Sequence, residues 1–301
     1  MTADYHVHSD FSFDSRTPME AQVQRAIELG LDELCFTEHV DYGVMRDWDD
    51  PAAVKEMNGR PCRNADYPRY FKKLDELARR YSDRITLRRG LEFGVQKHTI
   101  PQFNALWERY RDKLDFALLS VHQVDDLEFY PPDFQTGRSQ DEYNMRYYEE
   151  LLAAARDFDH YAALAHLDVM RRYDPAGEYP FEKTRDIVAE ILRVAIDMGK
   201  GIELNTASWR YKLEDIQPRR EILRLYRDLG GEILTIGSDA HRPERVGGNF
   251  DEARAILRDE LGFHRFCTFE HMEPRFHELS GIRPAGTAKK LPCPHIFLLT
   301  A

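Results

Sequence analysis

Six of the twelve histidines of this chain stand at or near the ends of apolar segments that have the length of buried β-strands. They are His6, His8, His39, His122, His166 and His241. The C-terminal ends of parallel strands meet at one edge of a sheet, so side chains from different strands can converge there on one ligand. Because imidazole is a common metal ligand, these positions predict a shared metal site.

Two of the segments carry paired ligands at a spacing of two residues. One residue separates His6 from His8, and one separates Asp239 from His241. Residues at i and i+2 of a strand point to the same face, so each pair can share one ion. A lone pair of this kind often occurs by chance, but six of the seven strand-like segments end in such residues, Glu92 included. Mixed imidazole and carboxylate ligands suit Zn²⁺, Mn²⁺ or Fe²⁺.

Strand-like and helix-like segments alternate along the chain in seven units, which is typical of a parallel sheet built from βα repeats. The predicted strands are Asp4 to Ser9, Glu33 to His39, Ile85 to Gly94, Asp115 to His122, Ala162 to Asp168, Gly201 to Ala207 and Ile233 to His241. The predicted helices are Pro18 to Leu29, Tyr67 to Ser82, Pro101 to Lys113, Ser139 to Asp157, Phe181 to Met198, Pro218 to Leu229 and Asn249 to Leu261. Seven units in register predict a closed or nearly closed β/α barrel, with an open doubly wound sheet as the alternative.

Composition excludes several classes of protein. Hydrophobic residues make up 42% of the 301 residues and charged residues 32%, which is the balance of a soluble globular protein. No apolar run approaches the roughly 20 residues that span a bilayer, and no signal peptide opens the chain, so we expect a cytoplasmic protein. The four cysteines form no C-x-x-C pair, which disfavours a zinc-thiolate site. A net charge of −11 disfavours general binding to nucleic acid.

In their order along the chain, the candidate ligand motifs resemble those of the polymerase and histidinol phosphatase (PHP) family of phosphoesterases. The matching stretches are His6-Val7-His8, Thr37-Glu38-His39, Ser120-Val121-His122 with His166, and Ser238-Asp239-Ala240-His241. The resemblance runs from Asp4 to about His277. It implies a distorted seven-unit barrel with the active site at the C-terminal rim of the strands. We therefore expect one domain over residues 1–280 and a loosely ordered tail over residues 281–301.

The resemblance also implies a set of ligands for three divalent ions. They are His6, His8, Glu92 and Asp239 for the first ion, Glu92 with His122 and His166 for the second, and Asp14, His39 and His241 for the third. Many family members have a histidine at the position of Asp14. The alternative for this carboxylate is a cap of the helix that starts near Pro18.

Two further motifs resemble the histidinol-phosphate phosphatase branch of the family. The stretch His166-Leu167-Asp168-Val169-Met170-Arg171-Arg172-Tyr173 resembles H-L-D-x-x-[RK]-[RK]-Y. The stretch Glu203-Leu204-Asn205-Thr206-Ala207-Ser208-Trp209-Arg210 resembles E-x-N-T-S-x-x-R and departs from it at Ala207-Ser208. This resemblance implies hydrolysis of L-histidinol phosphate, a step of histidine synthesis, by water activated between metal ions.

The same resemblance gives candidate roles to single residues. The candidate catalytic residues are Asp239, His241, Arg172 and Arg210. The candidate substrate-binding residues are Arg171, Arg172, Arg210 and Asn205. For each arginine the alternative is a surface ion pair, and the acid for the leaving group is either Asp239 or a water on a metal.

The sequence leaves three other functions open. One is a family member that acts on nucleotides or phosphotyrosine, and another is a non-catalytic metal-binding module, which we would expect to have lost ligands. An amidohydrolase-like enzyme would have a lysine in place of His122 and an eighth strand. The predicted partner is a small phosphomonoester rather than nucleic acid or a membrane, and the oligomeric state stays open.

A long segment, Asp41 to Asn64, falls outside the seven units and is a candidate rim over one end of the barrel. The implied substrate carries an ammonium group and an imidazole. The acidic and aromatic residues of this rim segment are Asp41, Asp47, Asp49, Asp50, Glu56, Tyr42 and Trp48. We expect them to select the cationic substrate, the alternative being a rim that only covers the barrel.

Overall fold

A computed structural model describes residues 1–57 and 59–279, in which seven parallel strands follow one another around one sheet in sequence order. The strands are β1 (Ala3–Val7), β2 (Glu33–Val40), β3 (Thr86–Gly94), β4 (Phe116–Ser120), β5 (Ala163–Leu164), β6 (Gly201–Asn205) and β7 (Leu234–Gly237). The sheet is closed by a parallel bridge between Val7 and Ala240, where the His8 amide donates to the Ala240 carbonyl at 2.9 Å. The predicted seven-unit barrel is thus confirmed.

Eight α-helices connect the strands of the described residues. They are α1 (Met19–Glu28), α2 (Tyr67–Arg80), α3 (Ile100–Tyr110), α4 (Gln140–Asp157), α5 (Arg185–Asp197), α6 (Ala207–Tyr211), α7 (Arg220–Asp228) and α8 (Phe250–Ala255). Helix α4 begins with a capping box, in which the Ser139 hydroxyl accepts from the Glu142 amide and the Glu142 carboxylate accepts from the Ser139 amide. In the described part of the chain, no helix has the length and apolarity that crossing a bilayer requires.

The core explains why the strand segments are nearly continuous apolar runs. All eight residues of β2 and all five of β4 are buried, because helices cover the outside of the barrel and side chains fill its inside. On α5, the buried residues Val188, Ile191 and Leu192 recur at helical spacing and form the apolar stripe of that helix.

An antiparallel hairpin covers the N-terminal end of the barrel. Its strands are β8 (Arg265–Glu270) and β9 (Glu273–Glu278). The Phe269 ring packs 5.0 Å from the ring of Phe116, and the Phe269 amide donates to the Tyr5 hydroxyl at 2.6 Å. Among the described residues, this hairpin therefore covers the end of the barrel opposite the C-terminal rim of the strands.

The structure departs from the sequence prediction mainly at the ends of elements. The strand predicted to end at Asp168 stops at Leu164, and the strand predicted to end at His241 stops at Gly237. The strand predicted to reach Ala207 stops at Asn205, and helix α6, which we did not predict, follows it. Two pairs of two-residue strands, Glu56–Met57 with Arg60–Pro61 and Gln123–Val124 with Leu127–Glu128, form small hairpins on the active-site rim. The predicted tail over residues 281–301 lies outside the described residues.

Candidate metal centre

Glu92, near the end of β3, lies at the middle of a histidine cluster. Its Oε1 atom is 2.8 Å from Nε2 of His166 and 3.1 Å from Nε2 of His122. Its Oε2 atom is 3.1 Å from Nε2 of His6. Burial opposes ionisation of this carboxyl, but the surrounding imidazoles, His6 and His122 foremost, outweigh it and hold the Glu92 pKa well below its usual value. Glu92 is therefore an anion with both oxygens directed at imidazole nitrogens.

His8 and His39 extend the cluster on the other side of Glu92. Nε2 of His8 is 3.4 Å from Oε2 of Glu92 and 3.7 Å from Oδ1 of Asp239. Nδ1 of His39 is 3.2 Å from Oε2 of Glu92. The His8 ring is stacked between the rings of His39 and His241, with centroid distances of 4.3 and 4.2 Å. Ligand candidates from β1, β2, β3 and the loop after β7 thus share one small volume.

Asp14 lies at the outer edge of this cluster, in the loop after β1. Its Oδ2 atom is 2.9 Å from Nε2 of His241 and 3.6 Å from Nε2 of His39. Desolvation raises the pKa of Asp14, but these two imidazoles outweigh desolvation and hold the pKa well below its usual value. Helix α1 has Pro18 at its N-cap and no side-chain cap, so the alternative role of Asp14 as a helix cap is wrong.

The donor atoms of the cluster fit divalent metal ions. Five sets of three residues bring ligand atoms within 4.8 Å of one another: His8, His39 and His241; His6, His8 and Glu92; His6, His166 and Asp239; His39, Asp41 and His122; and Glu92, His122 and His166. Nε2 of His8 and Nδ1 of His39 are buried and make no hydrogen bond. Burial and the neighbouring imidazoles of His241 and His39 hold the His8 pKa well below its usual value, so its ring is neutral, as a metal ligand must be. The cluster can therefore bind divalent cations.

Two carboxylates lie behind the imidazoles: Glu203, which was not a predicted site residue, and Asp41, which was predicted only to meet the cationic substrate. Oε1 of Glu203 is 2.7 Å from Nδ1 of His6, and Oδ1 of Asp41 is 2.7 Å from Nδ1 of His122. A carboxylate in this position fixes the tautomer of the ring and leaves Nε2 free for a metal. Glycines make room for both contacts, because a Cβ at Gly237 would overlap Glu203 and a Cβ at Gly94 would overlap Asp41. The signal that could have identified Glu203 is its spacing of two residues from Asn205 in the second motif.

Arg172 places a positive charge beside the cluster. Its Nη1 atom donates to Oδ2 of Asp239 at 2.8 Å, while Nε donates to Gln217 at 2.6 Å and Nη2 to Asn205 at 3.0 Å. Its guanidinium also lies 4.7 Å from the centre of the Tyr211 ring. Burial raises the pKa of Asp239, but Arg172 and the imidazoles outweigh burial and hold that pKa well below its usual value. Asp239 is therefore ionised.

The other predicted substrate-binding residues have different positions. Arg210 donates to the Asp239 carbonyl at 3.1 Å and lines an adjacent cavity of ≈ 180 Å³. Asn205 is fully buried and holds Arg172. The structure does not bring Arg171 to the site, because its donors bond Asp168, Glu178 and the Ile216 carbonyl instead. Arg171 therefore anchors the turn that carries Arg172.

A cavity of ≈ 270 Å³ lies over the cluster. Its polar lining is Asp14, His39, Asp41, Glu92, His122, Gln123, Glu128, His166, Arg172, Asp239 and His241. Its apolar and aromatic lining is Phe13, Val44, Met45, Met57, Phe129, Tyr130, Val169, Tyr173 and Tyr211. Candidate metal ligands and Arg172 thus share the cavity with a wall of aromatic side chains.

The rim segment Asp41 to Asn64 lines the active-site cavity mainly with apolar residues, although its composition suggests an acidic surface. Apart from Asp41, it lines the active-site cavity with Val44, Met45 and Met57, which are apolar. Its acidic residues Asp47, Asp49 and Asp50 line a separate cavity of ≈ 630 Å³. The expectation that these three aspartates meet a cationic substrate is therefore wrong. A carboxylate in the active-site cavity comes instead from Glu128, on the neighbouring hairpin.

Residues 4–207 match the sequence model of the PHP domain family, which is more than half of the chain. The chain belongs to the PHP family. All four stretches that carried the resemblance, three of them within the matched region, converge on the candidate metal centre.

Two relatives of this PHP chain are similar to it over nearly their whole length. A histidinol-phosphatase from Lactococcus lactis is 31% identical over 90% of this chain and 95% of its own. A probable histidinol-phosphatase from Thermotoga maritima is 28% identical over 85% of this chain and 91% of its own. The crystal structure of the Lactococcus lactis histidinol phosphate phosphatase, complexed with zinc, L-histidinol and phosphate, superposes with a TM-score of 0.77 at 29% identity, covering 91% of this chain and 98% of that one.

Proposed function

We propose that this protein is a metal-dependent histidinol-phosphatase, which hydrolyses L-histidinol phosphate to L-histidinol and phosphate. The observation that carries the proposal is one cavity that combines a cluster of metal ligands, Arg172 and Glu128. The metal ligands and Arg172 suit a phosphate, and Glu128 suits a cation. The relatives named histidinol-phosphatase, over nearly the full length of the chain, support the same substrate.

We assign nine residues as ligands of three divalent ions. They are His6, His8 and Asp239 with Glu92 for the first, Glu92 with His122 and His166 for the second, and Asp14, His39 and His241 for the third. Zinc is the ion of the similar Lactococcus lactis structure, and manganese and iron suit the same ligands. Contacts of Glu92 with five imidazoles support its place in both of the first two ligand sets, so this carboxylate would hold either ion.

Divalent ions held by these residues would supply Lewis acidity to the phosphoryl oxygens and to a nucleophilic water. Arg172 binds the phosphoryl group, because three of the five N–H groups of its guanidinium have partners and two are left for phosphoryl oxygens. Glu203 and Asp41 hold His6 and His122 in the tautomer that directs Nε2 inward. Asp239 is ionised, so it is a ligand and the partner of Arg172 rather than the acid for the leaving group.

The other end of the substrate carries an ammonium group and an imidazole. Glu128 offers a carboxylate for the ammonium group, and its side chain is 22% exposed, which lets it meet a ligand without full desolvation. Phe129, Tyr130 and Tyr173 line the same cavity and offer ring faces for the imidazole. Selectivity for histidinol phosphate therefore rests on this wall of the cavity.

The test is a comparison of phosphate release from several phosphomonoesters by the zinc- or manganese-loaded protein. We expect kcat/KM for L-histidinol phosphate to exceed that for p-nitrophenyl phosphate, a nucleoside monophosphate and phosphotyrosine by at least about tenfold, which corresponds to about 1.4 kcal/mol of transition-state binding. A preference for the nucleotide or for phosphotyrosine would overturn the substrate assignment. Full metal loading without hydrolysis of any substrate would instead favour a non-catalytic metal-binding module.

A further inference from the structure

Lys55 of the rim segment reaches Glu128, the carboxylate that we assign to the ammonium group of the substrate. The Lys55 ammonium donates to Oε2 of Glu128 and forms an ion pair with it. The two residues come from different parts of the rim, since Glu128 belongs to the hairpin of Gln123–Val124 and Leu127–Glu128. Lys55 is therefore paired with the carboxylate that we assign to the cationic end of the substrate.

The backbone around Lys55 is held in place by hydrogen bonds within the rim segment. The Lys55 carbonyl accepts from the Cys62 amide at 2.8 Å. Arg63 donates to the carbonyls of Asp50 and Ala52, both at 2.7 Å, and so ties together the residues just before Lys55. The long side chain of Lys55 can still move, because 41% of it is exposed.

The same lysine also lines a second cavity, whose wall carries carboxylates. Lys55 also lines the separate cavity of ≈ 630 Å³, together with Asp47, Asp49 and Asp50. Displacement from Glu128 therefore does not leave the ammonium group of Lys55 without carboxylates nearby. An exchange of partners at Glu128 costs little, because partly exposed ion pairs of this kind are individually weak.

We propose that Lys55 is a specificity-determining residue that competes with the ammonium group of the substrate for Glu128. This inference rests on the proposed function, since it concerns the cationic end of histidinol phosphate. Binding of that end replaces the Lys55–Glu128 pair by a pair between the substrate and Glu128. The lysine thereby weakens the binding of cationic ligands and leaves ligands without an ammonium group unaffected at this position.

The test is the variant Lys55→Met, which keeps an unbranched side chain and removes the charge. We expect the KM for L-histidinol phosphate, relative to that for p-nitrophenyl phosphate, to fall by about two- to fivefold, the range set by a partly exposed ion pair. The inhibition constant of L-histidinol, which has the ammonium group but no phosphate, should fall by the same factor and reports binding without turnover. A matched control is Lys73→Met, because Lys73 forms a similar exposed pair with Glu76 on α2 and should change neither ratio.

The double variant Lys55→Met with Glu128→Gln separates competition from other effects of the lysine. If Lys55 acts through Glu128, the gain from Lys55→Met should vanish when Glu128 is already neutral. A rise in the KM for histidinol phosphate in Lys55→Met would show that the lysine positions Glu128 for the substrate, and it would overturn the proposal. An unchanged KM together with an unchanged inhibition constant would overturn it too. The substrate preference of the wild-type protein tests the proposed function separately. If the wild-type protein does not prefer histidinol phosphate, the proposed function fails; if it does and the Lys55 variants behave otherwise than expected, only the role of Lys55 fails.

Discussion

Removal of the divalent ions should lower the Tm of the protein, and this loss of Tm should be much smaller in the variant Glu92→Gln. Ions that bind the folded chain and not the unfolded one stabilise it by mass action. One ion at a free concentration 100 times its Kd contributes about 2.7 kcal/mol. For a domain of this size class, about 2–4 °C of Tm corresponds to 1 kcal/mol, so chelation should lower Tm by about 5–10 °C for each such ion.

Glu92 is the residue to change because its carboxylate takes part in two of the five ligand sets. Its two oxygens contact five imidazoles, at distances between 2.8 and 3.4 Å. The substitution Glu92→Gln keeps the size of the side chain, removes the negative charge and turns one acceptor into a donor. Because Glu92 is ionised when buried here, the variant loses a full charge at the centre of the cluster. Metal affinity should fall by more than about 100-fold, the upper range for the loss of a supporting contact.

The assay is thermal unfolding followed by circular dichroism, with and without a chelator, alongside elemental analysis and phosphate release. The matched control is Glu128→Gln, which neutralises a carboxylate of the same cavity whose partner is Lys55. This control should keep the chelator-dependent shift of the wild-type protein. If Glu92→Gln is folded and loses as much Tm on chelation as the wild-type protein does, Glu92 is not a metal ligand.

Four further substitutions test other parts of the structure. Arg172→Met should lower kcat/KM by about 100-fold on every phosphomonoester, whereas Arg171→Met should mainly lower Tm; steady-state kinetics and thermal unfolding of both variants distinguish the roles. Glu203→Gln should weaken zinc binding by about 10- to 100-fold in a competitive titration, with the fold retained. Leu118→Ala, in the centre of β4, should cost about 2–5 kcal/mol of unfolding free energy in urea, and a loss below 1 kcal/mol would contradict its place in the core.

The seven units of the barrel could be predicted because each strand is buried on both sides and therefore appears as a short apolar run. The ends of the strands could not be predicted, because the apolar pattern of each strand continues through the residues that carry the candidate metal ligands. His166 has a φ of 24° and Asp239 a φ of 55°, so both have left the extended conformation. The residues on either side of each bend are buried without interruption, so the sequence pattern does not record the bend.

The rim segment shows what composition cannot reveal. Its aspartates indicated a surface for a cation, but Asp47 accepts hydrogen bonds from the hydroxyls of Tyr42 and Tyr67, and its neighbours face the separate cavity. Counting charges gives the number of carboxylates in a segment and not the face on which each lies. Glu128 was overlooked for the same reason, since nothing in its local sequence distinguishes it from the other surface glutamates.

The candidate metal centre depends on closure of the barrel more than on any single motif. His6 lies on β1 and His8 directly follows it, whereas Asp239 and His241 follow β7, which is six strands away in the order of the sheet. The bridge between Val7 and Ala240 makes these two strands neighbours, and it brings Nε2 of His8 to 3.7 Å from Oδ1 of Asp239. In an open sheet, the same four residues would lie at opposite edges and could not share an ion. Barrel closure therefore positions the pairs at both ends of the chain, and Glu92 on β3 connects them to the histidines that follow β4 and β5.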